Sequence, residues 1–120
     1  MRVLAIVASL GMSLGAALTA RADTVMATPV YLIGASGTSC DATNVGKKAV
    51  AVTIQVIKFS VNGDVLQQST QQVEPNGSVA QGAIPADPTY GYCRFSGKFS
   101  KSSLRVAGID PATGTTIPGY

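Results

Sequence analysis

The chain has 120 residues, with 9 Lys and Arg against 6 Asp and Glu, two cysteines and no histidine. The lack of histidine excludes Ser–His and Cys–His nucleophile pairs. The small basic excess argues against a nucleic-acid binder, because such proteins carry a clear surplus of positive charge.

The first residues predict a cleaved secretory signal peptide. Arg2 precedes a mostly apolar run, which ends in an A-x-A site at Ala22. This order is typical of a signal peptide, and the apolar run is too short for a membrane span. We therefore expect a signal peptide at 1–22 and one mature domain at 23–120. The mature protein would be secreted or periplasmic, with no insertion into the membrane.

Cleavage would also change the charge of the working protein. Without Arg2 and Arg21, the 9 basic residues fall to 7, against the same 6 acidic ones. A nearly neutral chain has no electrostatic reason to bind nucleic acid. We expect no nucleic-acid partner.

Two cysteines, Cys40 and Cys93, lie in the mature chain. An even count in an exported protein predicts one disulfide, which we assign to this pair. A metal or redox site is the alternative, but the chain has neither a C-x-x-C motif nor a histidine. We expect no cofactor and no resident metal.

Strand and turn signals alternate through the mature chain. The clearest strand is 49–60, where alternate residues from Val50 to Val56 are apolar. The alternation then slips, and a β-bulge at this point would bring Ile57 and Phe59 to the inner face.

Turn signals recur at short intervals after this strand. Asn62-Gly63 predicts a hairpin, and the polar segment VLQQSTQQV predicts an edge or solvent-facing strand. The segment EPNG predicts another turn. About seven to eight strands with such spacing indicate an all-β, two-sheet antiparallel β-sandwich of immunoglobulin-like type, held by one disulfide.

The segment TNVGKKAVAVTIQVIKFSVNGDVLQQSTQQVEPNGSVA resembles bacterial immunoglobulin-like, adhesion-type modules. In those modules an N-x-G turn precedes a long Val/Thr strand, followed by an N-G hairpin and a Pro/Gly turn. The resemblance covers roughly 40–80 and implies a small exported β-sandwich without transferable catalytic residues. The chain departs from true immunoglobulin domains because it has no tryptophan.

Cations and aromatic residues mingle in GYCRFSGKFSKSSLRV, at 91–106. If the two strands of this segment pair, their outer faces and turn would form one basic hairpin surface. A solvated strand face is the alternative. The candidate binding residues are Tyr90, Tyr92, Arg94, Lys98, Lys101 and Arg105. Tyr90 lies in a predicted loop, where we expect it to be exposed.

The six carboxylates are spread along the chain, mostly in predicted turns. Turn capping explains them better than a hydrolase site or a calcium site at Asp87 or Asp110. We therefore expect a non-enzymatic module that binds a protein or a cell-envelope or extracellular polysaccharide. A structural subunit with homotypic contacts is the first alternative, and a small hydrolase is the second.

Overall fold

The computed structural model describes residues 23–120, so the predicted signal peptide lies outside the described residues. The described chain forms nine strands and a short 3₁₀ turn at Lys101–Ser103. The strands are β1 Thr24–Ala27, β2 Tyr31–Ile33, β3 Thr38–Asn44, β4 Val50–Lys58, β5 Val65–Val73, β6 Ser78–Ala83, β7 Thr89–Gly97, β8 Leu104–Asp110 and β9 Thr115–Pro118.

The strands form two antiparallel sheets, as the turn spacing predicts. The first sheet has the order β1-β7-β4-β5, and β2 also pairs with β7. The second sheet has the order β6-β3-β8-β9. Most paired strands of the described chain are not consecutive in sequence; only β4–β5 and β8–β9 are. Each sheet is therefore built from segments that are distant in sequence.

The described residues form nine strands, whereas about seven to eight were expected, and two short strands, β1 and β2, lie one after the other along β7. Both pair with β7, but the register moves by one residue between Ala27↔Arg94 and Tyr31↔Gly91. Pro29 lies in the break and has no N–H to donate to a ladder. The Thr28 hydroxyl accepts the Cys93 N–H at 3.0 Å, so this donor stays satisfied.

The predicted irregularity at Val56 occurs, but on the partner strand. Val56 pairs with Gln67 and Ile57 with Val65, so the extra residue is Leu66 in β5. The β4–β7 register remains regular through this point. The expected inward packing of Ile57 and Phe59 is therefore wrong. Ile57 stays on the outer face, although it is only 6% exposed, and Phe59 is 66% exposed.

The core lies between the sheets and is closed by the disulfide. Ile54 and Phe95 fill it from the first sheet, and Leu104 faces them from the second. The predicted bond between Cys40 and Cys93 is present, with a Cα–Cα distance of 5.6 Å and both residues fully buried. It connects β3 to β7 and so links the two sheets covalently.

Candidate functional site

The predicted basic hairpin is not formed in the described structure. β7 belongs to the first sheet and β8 to the second, with 98–103 carrying the chain between them. The expected shared face of Arg94 and Arg105 is therefore wrong. The six candidate residues divide into two groups. Tyr90, Tyr92 and Arg94 lie on the outer face of the first sheet, whereas Lys98, Lys101 and Arg105 lie toward one end of the sandwich.

Alternation along β7 places its tyrosines as the sequence predicts. Cys93 and Phe95 are fully buried, whereas Tyr92 and Arg94 alternate with them on the outer face. Tyr90 continues this outer row and is 57% exposed, which confirms its expected exposure.

Two neighbours extend Tyr90 into an exposed apolar row. Leu32 of β2 is its direct cross-strand partner. On the other side, the Phe59 N–H donates to the Tyr90 carbonyl at 2.8 Å. Leu32 is exposed, as is Phe59. We call Leu32, Phe59, Tyr90 and Tyr92 the aromatic face.

A second cross-strand row lies beside the first on the same outer face. Tyr92 pairs with Ile57, which pairs in turn with Val65. Ile57 is buried although it lies outside the core between the sheets. Apolar side chains therefore continue the aromatic face along the sheet, with Ile57 buried and Val65 exposed.

Hydrogen-bonded polar residues continue the same outer face along the strands. Arg94 Nη1 donates to Gln55 Oε1 at 2.9 Å. Gln55 Nε2 donates to Gln68 Oε1, also at 2.9 Å. In the next row, the Thr53 and Thr70 hydroxyls are 2.8 Å apart. We call these five residues the polar rows, in which Arg94 is the single charged side chain.

A basic group lies at the end of the sandwich where β3 and β7 finish. Lys98 Nζ contacts Asp23 Oδ1 at 3.1 Å. Lys101 begins the 3₁₀ turn, and Arg105 on β8 pairs with Thr43 of β3. Lys47 and Lys48 follow β3 and lie at the same end, so they join a group that the sequence prediction did not include.

A buried polar network lies on the inner side of the first sheet, next to the disulfide. Thr38 Oγ1 donates to the Ile109 carbonyl at 3.0 Å, and it accepts the hydrogen bond of the Tyr31 hydroxyl. The same hydroxyl lies 3.4 Å from Cys93 Sγ. Burial raises the pKa of the Tyr31 phenol above its ordinary value, so Tyr31 stays neutral and acts as a structural donor.

The carboxylates take up local structural positions. Asp110 Oδ1 accepts the Ala112 N–H at 3.0 Å, which is the turn capping that the sequence predicts. Asp41 accepts from the Ser39 hydroxyl two residues away. Within residues 23–120, no group of three or more His, Cys, Asp or Glu residues is arranged to hold a metal ion.

No protein-family model matches the chain, and no curated protein or solved structure matches it either. The structure shows a two-sheet antiparallel sandwich linked by a disulfide. This is the part of the immunoglobulin-like resemblance that it supports. Among residues 23–120 there is no helix long and apolar enough to cross a membrane. Function must therefore be argued from the surface.

Proposed function

We propose that the protein is an exported, non-enzymatic binding module that recognises a cell-envelope or extracellular polysaccharide through the aromatic face. One observation carries the proposal: the exposed row of Leu32, Tyr90 and Phe59 continues, through the row of Tyr92 and Ile57, into hydrogen-bonded amides and a guanidinium. Apolar rings beside convergent polar groups are the usual composition of a ligand site.

The chemistry of a sugar chain suits both parts of this surface. A sugar ring has an apolar C–H face and a rim of hydroxyl groups, so it can stack on a ring while the rim meets polar side chains. The aromatic positions lie about 5 Å apart across the strands and about 7 Å along β7. Several sugar units of one chain can therefore contact Phe59, Tyr90 and Tyr92 together.

The polar rows favour a polysaccharide over a protein partner. Amide and hydroxyl groups supply both donors and acceptors, which neutral sugar hydroxyls require. Gln55 and Gln68 already hold each other at 2.9 Å, so little side-chain freedom is lost on binding. The disulfide further fixes β7, the strand that carries Tyr90, Tyr92 and Arg94.

The Cys40–Cys93 disulfide also supports the proposed location of the protein outside the cytoplasm. Disulfides form and persist in oxidising compartments such as the periplasm or the extracellular space. A Cys40–Cys93 bond is consistent with such a compartment. Together with the signal peptide predicted at 1–22, it supports export of the protein to where polysaccharides of the envelope are present.

The test is retention of the purified, oxidised protein on a panel of insoluble polysaccharides and in gels containing soluble ones. Replacement of Phe59 and Tyr90 by Ala removes two exposed rings without touching the core. We expect each ring to contribute roughly tenfold in affinity, about 1.4 kcal/mol. The control is Tyr120→Ala, which removes an even more exposed tyrosine outside this face.

Wild-type retention that Tyr120→Ala preserves and the double variant loses supports the proposal. Equal retention of all three proteins would place recognition elsewhere. Capture of a protein, with no retention on any polysaccharide, would overturn the polysaccharide assignment.

A structural, self-assembling role is the second candidate, and the β5 edge favours it. β5 has nine residues with no charge and no proline, and it lies at the edge of the first sheet. Such an edge is a template for another strand. Gln67 and Gln72 are exposed in β5. Sedimentation over a range of concentrations tests the role: self-association that Gln67→Lys and Gln72→Lys abolish would support it.

A further inference from the structure

The charges of the described chain are separated between the two ends of the sandwich. The end formed by the β3–β4, β5–β6 and β7–β8 connections, here the basic end, carries two acids, Asp23 and Glu74. Its cations are Lys47, Lys48, Lys98, Lys101 and Arg105. The near neutrality of residues 23–120 therefore hides a local excess of positive charge.

The opposite end has the reverse balance. The connections there contain three acids, Asp64, Asp87 and Asp110, against one cation, Lys58. Fields from exposed charges fall off within about 8–10 Å at physiological ionic strength. The acids of this end therefore do little to neutralise the cations of the basic end.

A fully buried asparagine fixes the loop that carries two of these lysines. Asn44 Nδ2 donates to the Lys48 carbonyl at 2.8 Å and to the Val73 carbonyl at 3.0 Å. Its Oδ1 accepts the Gly46 N–H at 2.9 Å. Asn44 is 0% exposed, and its bond to Val73 is buried, whereas those to Lys48 and Gly46 are partly buried. These bonds restrain the loop 45–49 at Gly46 and Lys48.

The same loop is joined to the β7–β8 connection. The Val45 N–H donates to the Ser103 carbonyl at 2.8 Å. A Cβ on Gly46 would lie 2.9 Å from Ser103 Cβ, so the two segments approach more closely than a side chain at Gly46 would allow. Between them lies a cleft of about 550 Å³.

Three lysines are among the residues that line this cleft, namely Lys47, Lys48 and Lys98. Asp23 contacts Lys98 and offsets one positive charge, which leaves a net charge of about +2. A phosphate group bound at one position carries about −1.5 to −2 at neutral pH, whereas a carboxylate carries only −1. The volume lies within the range of about 300–1,000 Å³ typical of ligand sites.

We propose that the cleft at the basic end binds phosphate groups, as a site separate from the aromatic face. The lysines act as point charges, a common way to bind phosphate. Binding would also relieve the mutual repulsion of Lys47 and Lys48, which are adjacent on a fixed loop. Lys101, which begins the 3₁₀ turn, and Arg105 of β8 lie at the same end and would attract further phosphates of a longer ligand.

The test uses two phosphate probes with the purified, oxidised protein. Pyrophosphate represents a small phosphate compound, and long-chain polyphosphate represents a polymer with repeated phosphates. Titrations followed by amide chemical shifts at low salt should move the signals of 45–49 and 98–103. Affinity should fall as salt rises, because the attraction is electrostatic.

Lysine variants then test whether the probes bind in the cleft at the basic end. The double replacement Lys47→Gln and Lys48→Gln should weaken binding at least tenfold while leaving the melting temperature unchanged. Lys58→Gln is the matched control: it removes an exposed lysine at the opposite end and should have no effect.

The outcomes distinguish a small phosphate ligand, a polymeric phosphate ligand and the absence of a phosphate site. Binding of both probes supports a site for one phosphate group, and binding of polyphosphate alone supports a polymeric ligand along the basic end. No binding of either probe at low salt, or an equal loss with Lys58→Gln, would overturn the proposal. Replacement of Phe59 and Tyr90 should leave phosphate binding intact, so the two proposals fail independently.

Discussion

At the scale of single residues, replacement of Asn44 is expected to lower the free energy of unfolding the most. Replacement by Ala would leave the carbonyls of Lys48 and Val73 and the Gly46 N–H without their partner. A buried group left unsatisfied costs about 1–3 kcal/mol. The Val73 carbonyl is buried, whereas the other two groups are partly exposed and can bond to water, so we expect a loss of about 2–4 kcal/mol in the free energy of unfolding. Urea denaturation measures this change in the free energy of unfolding.

The adjacent Thr43→Ala is the control for this variant, because its hydroxyl makes only an exposed bond to Ser78. It should change the free energy of unfolding by less than about 1 kcal/mol. Similar losses for both variants would show that the Asn44 bonds do not hold the loop. The sequence indicated an N-x-G turn here, but the contact of Asn44 with Val73 depends on the packing of distant segments.

Tyr31 makes stability depend on pH in the alkaline range. Its pKa is raised in the folded protein by burial, so the neutral phenol is favoured relative to the unfolded chain. This contribution is complete below the unfolded pKa, about 10. It is lost as the pH rises from there through the folded pKa.

We therefore expect the melting temperature to fall more steeply above about pH 10 in the wild type than in Tyr31→Phe. Thermal scans from pH 8 to 11 test this expectation. At pH 8 the variant should be less stable by about 1 kcal/mol, since it lacks the hydrogen bond to Thr38. Parallel alkaline losses in the two proteins would contradict the assigned role.

At the scale of elements, the disulfide between β3 and β7 is the main covalent constraint. The two cysteines are 53 residues apart in sequence, and the chain-entropy relation gives about 4 kcal/mol for such a loop. Joint replacement of Cys40 and Cys93 by Ala should lower the melting temperature by more than about 10 °C. An unchanged melting curve would show that the sandwich does not depend on the bond.

The sequence predicted most strands because alternation and turn residues are local signals. It missed β1 as a separate strand, because the one-residue change of register near Pro29 is visible only against β7. It placed the extra residue of the bulge in β4, near Val56, whereas the residue lies in β5. A break in the apolar alternation of β4 does not show which of the two paired strands contains the extra residue. Pairing between distant strands is not encoded in local pattern.

At the scale of the whole molecule, sequence reasoning found half of the candidate site. Alternation identified Tyr92 and Arg94 as outward residues, and Tyr90 was expected to be exposed because of its predicted loop position. Leu32 and Phe59 were missed, because they join Tyr90 only through pairings of β2 and the end of β4 with β7. Lys101 and Arg105 were assigned to the same surface as Tyr90 because adjacent segments were expected to pair.

The molecule therefore presents two surfaces of different chemistry on one rigid support. The aromatic face and polar rows suit a neutral sugar chain, and the basic end suits phosphate. The two proposals predict separable losses. Replacement of Phe59 and Tyr90 should reduce polysaccharide retention alone, and Lys47→Gln with Lys48→Gln should reduce phosphate binding alone.

The most direct measurement is an amide chemical-shift map of the protein titrated with soluble oligosaccharides of a polysaccharide that retains it. The account predicts shifts concentrated at Leu32, Phe59 and Tyr90–Arg94, with Gln55 and Gln68 following. Shifts confined to β5 or to the loops of the basic end, or no retention on any polysaccharide, would contradict recognition through the aromatic face.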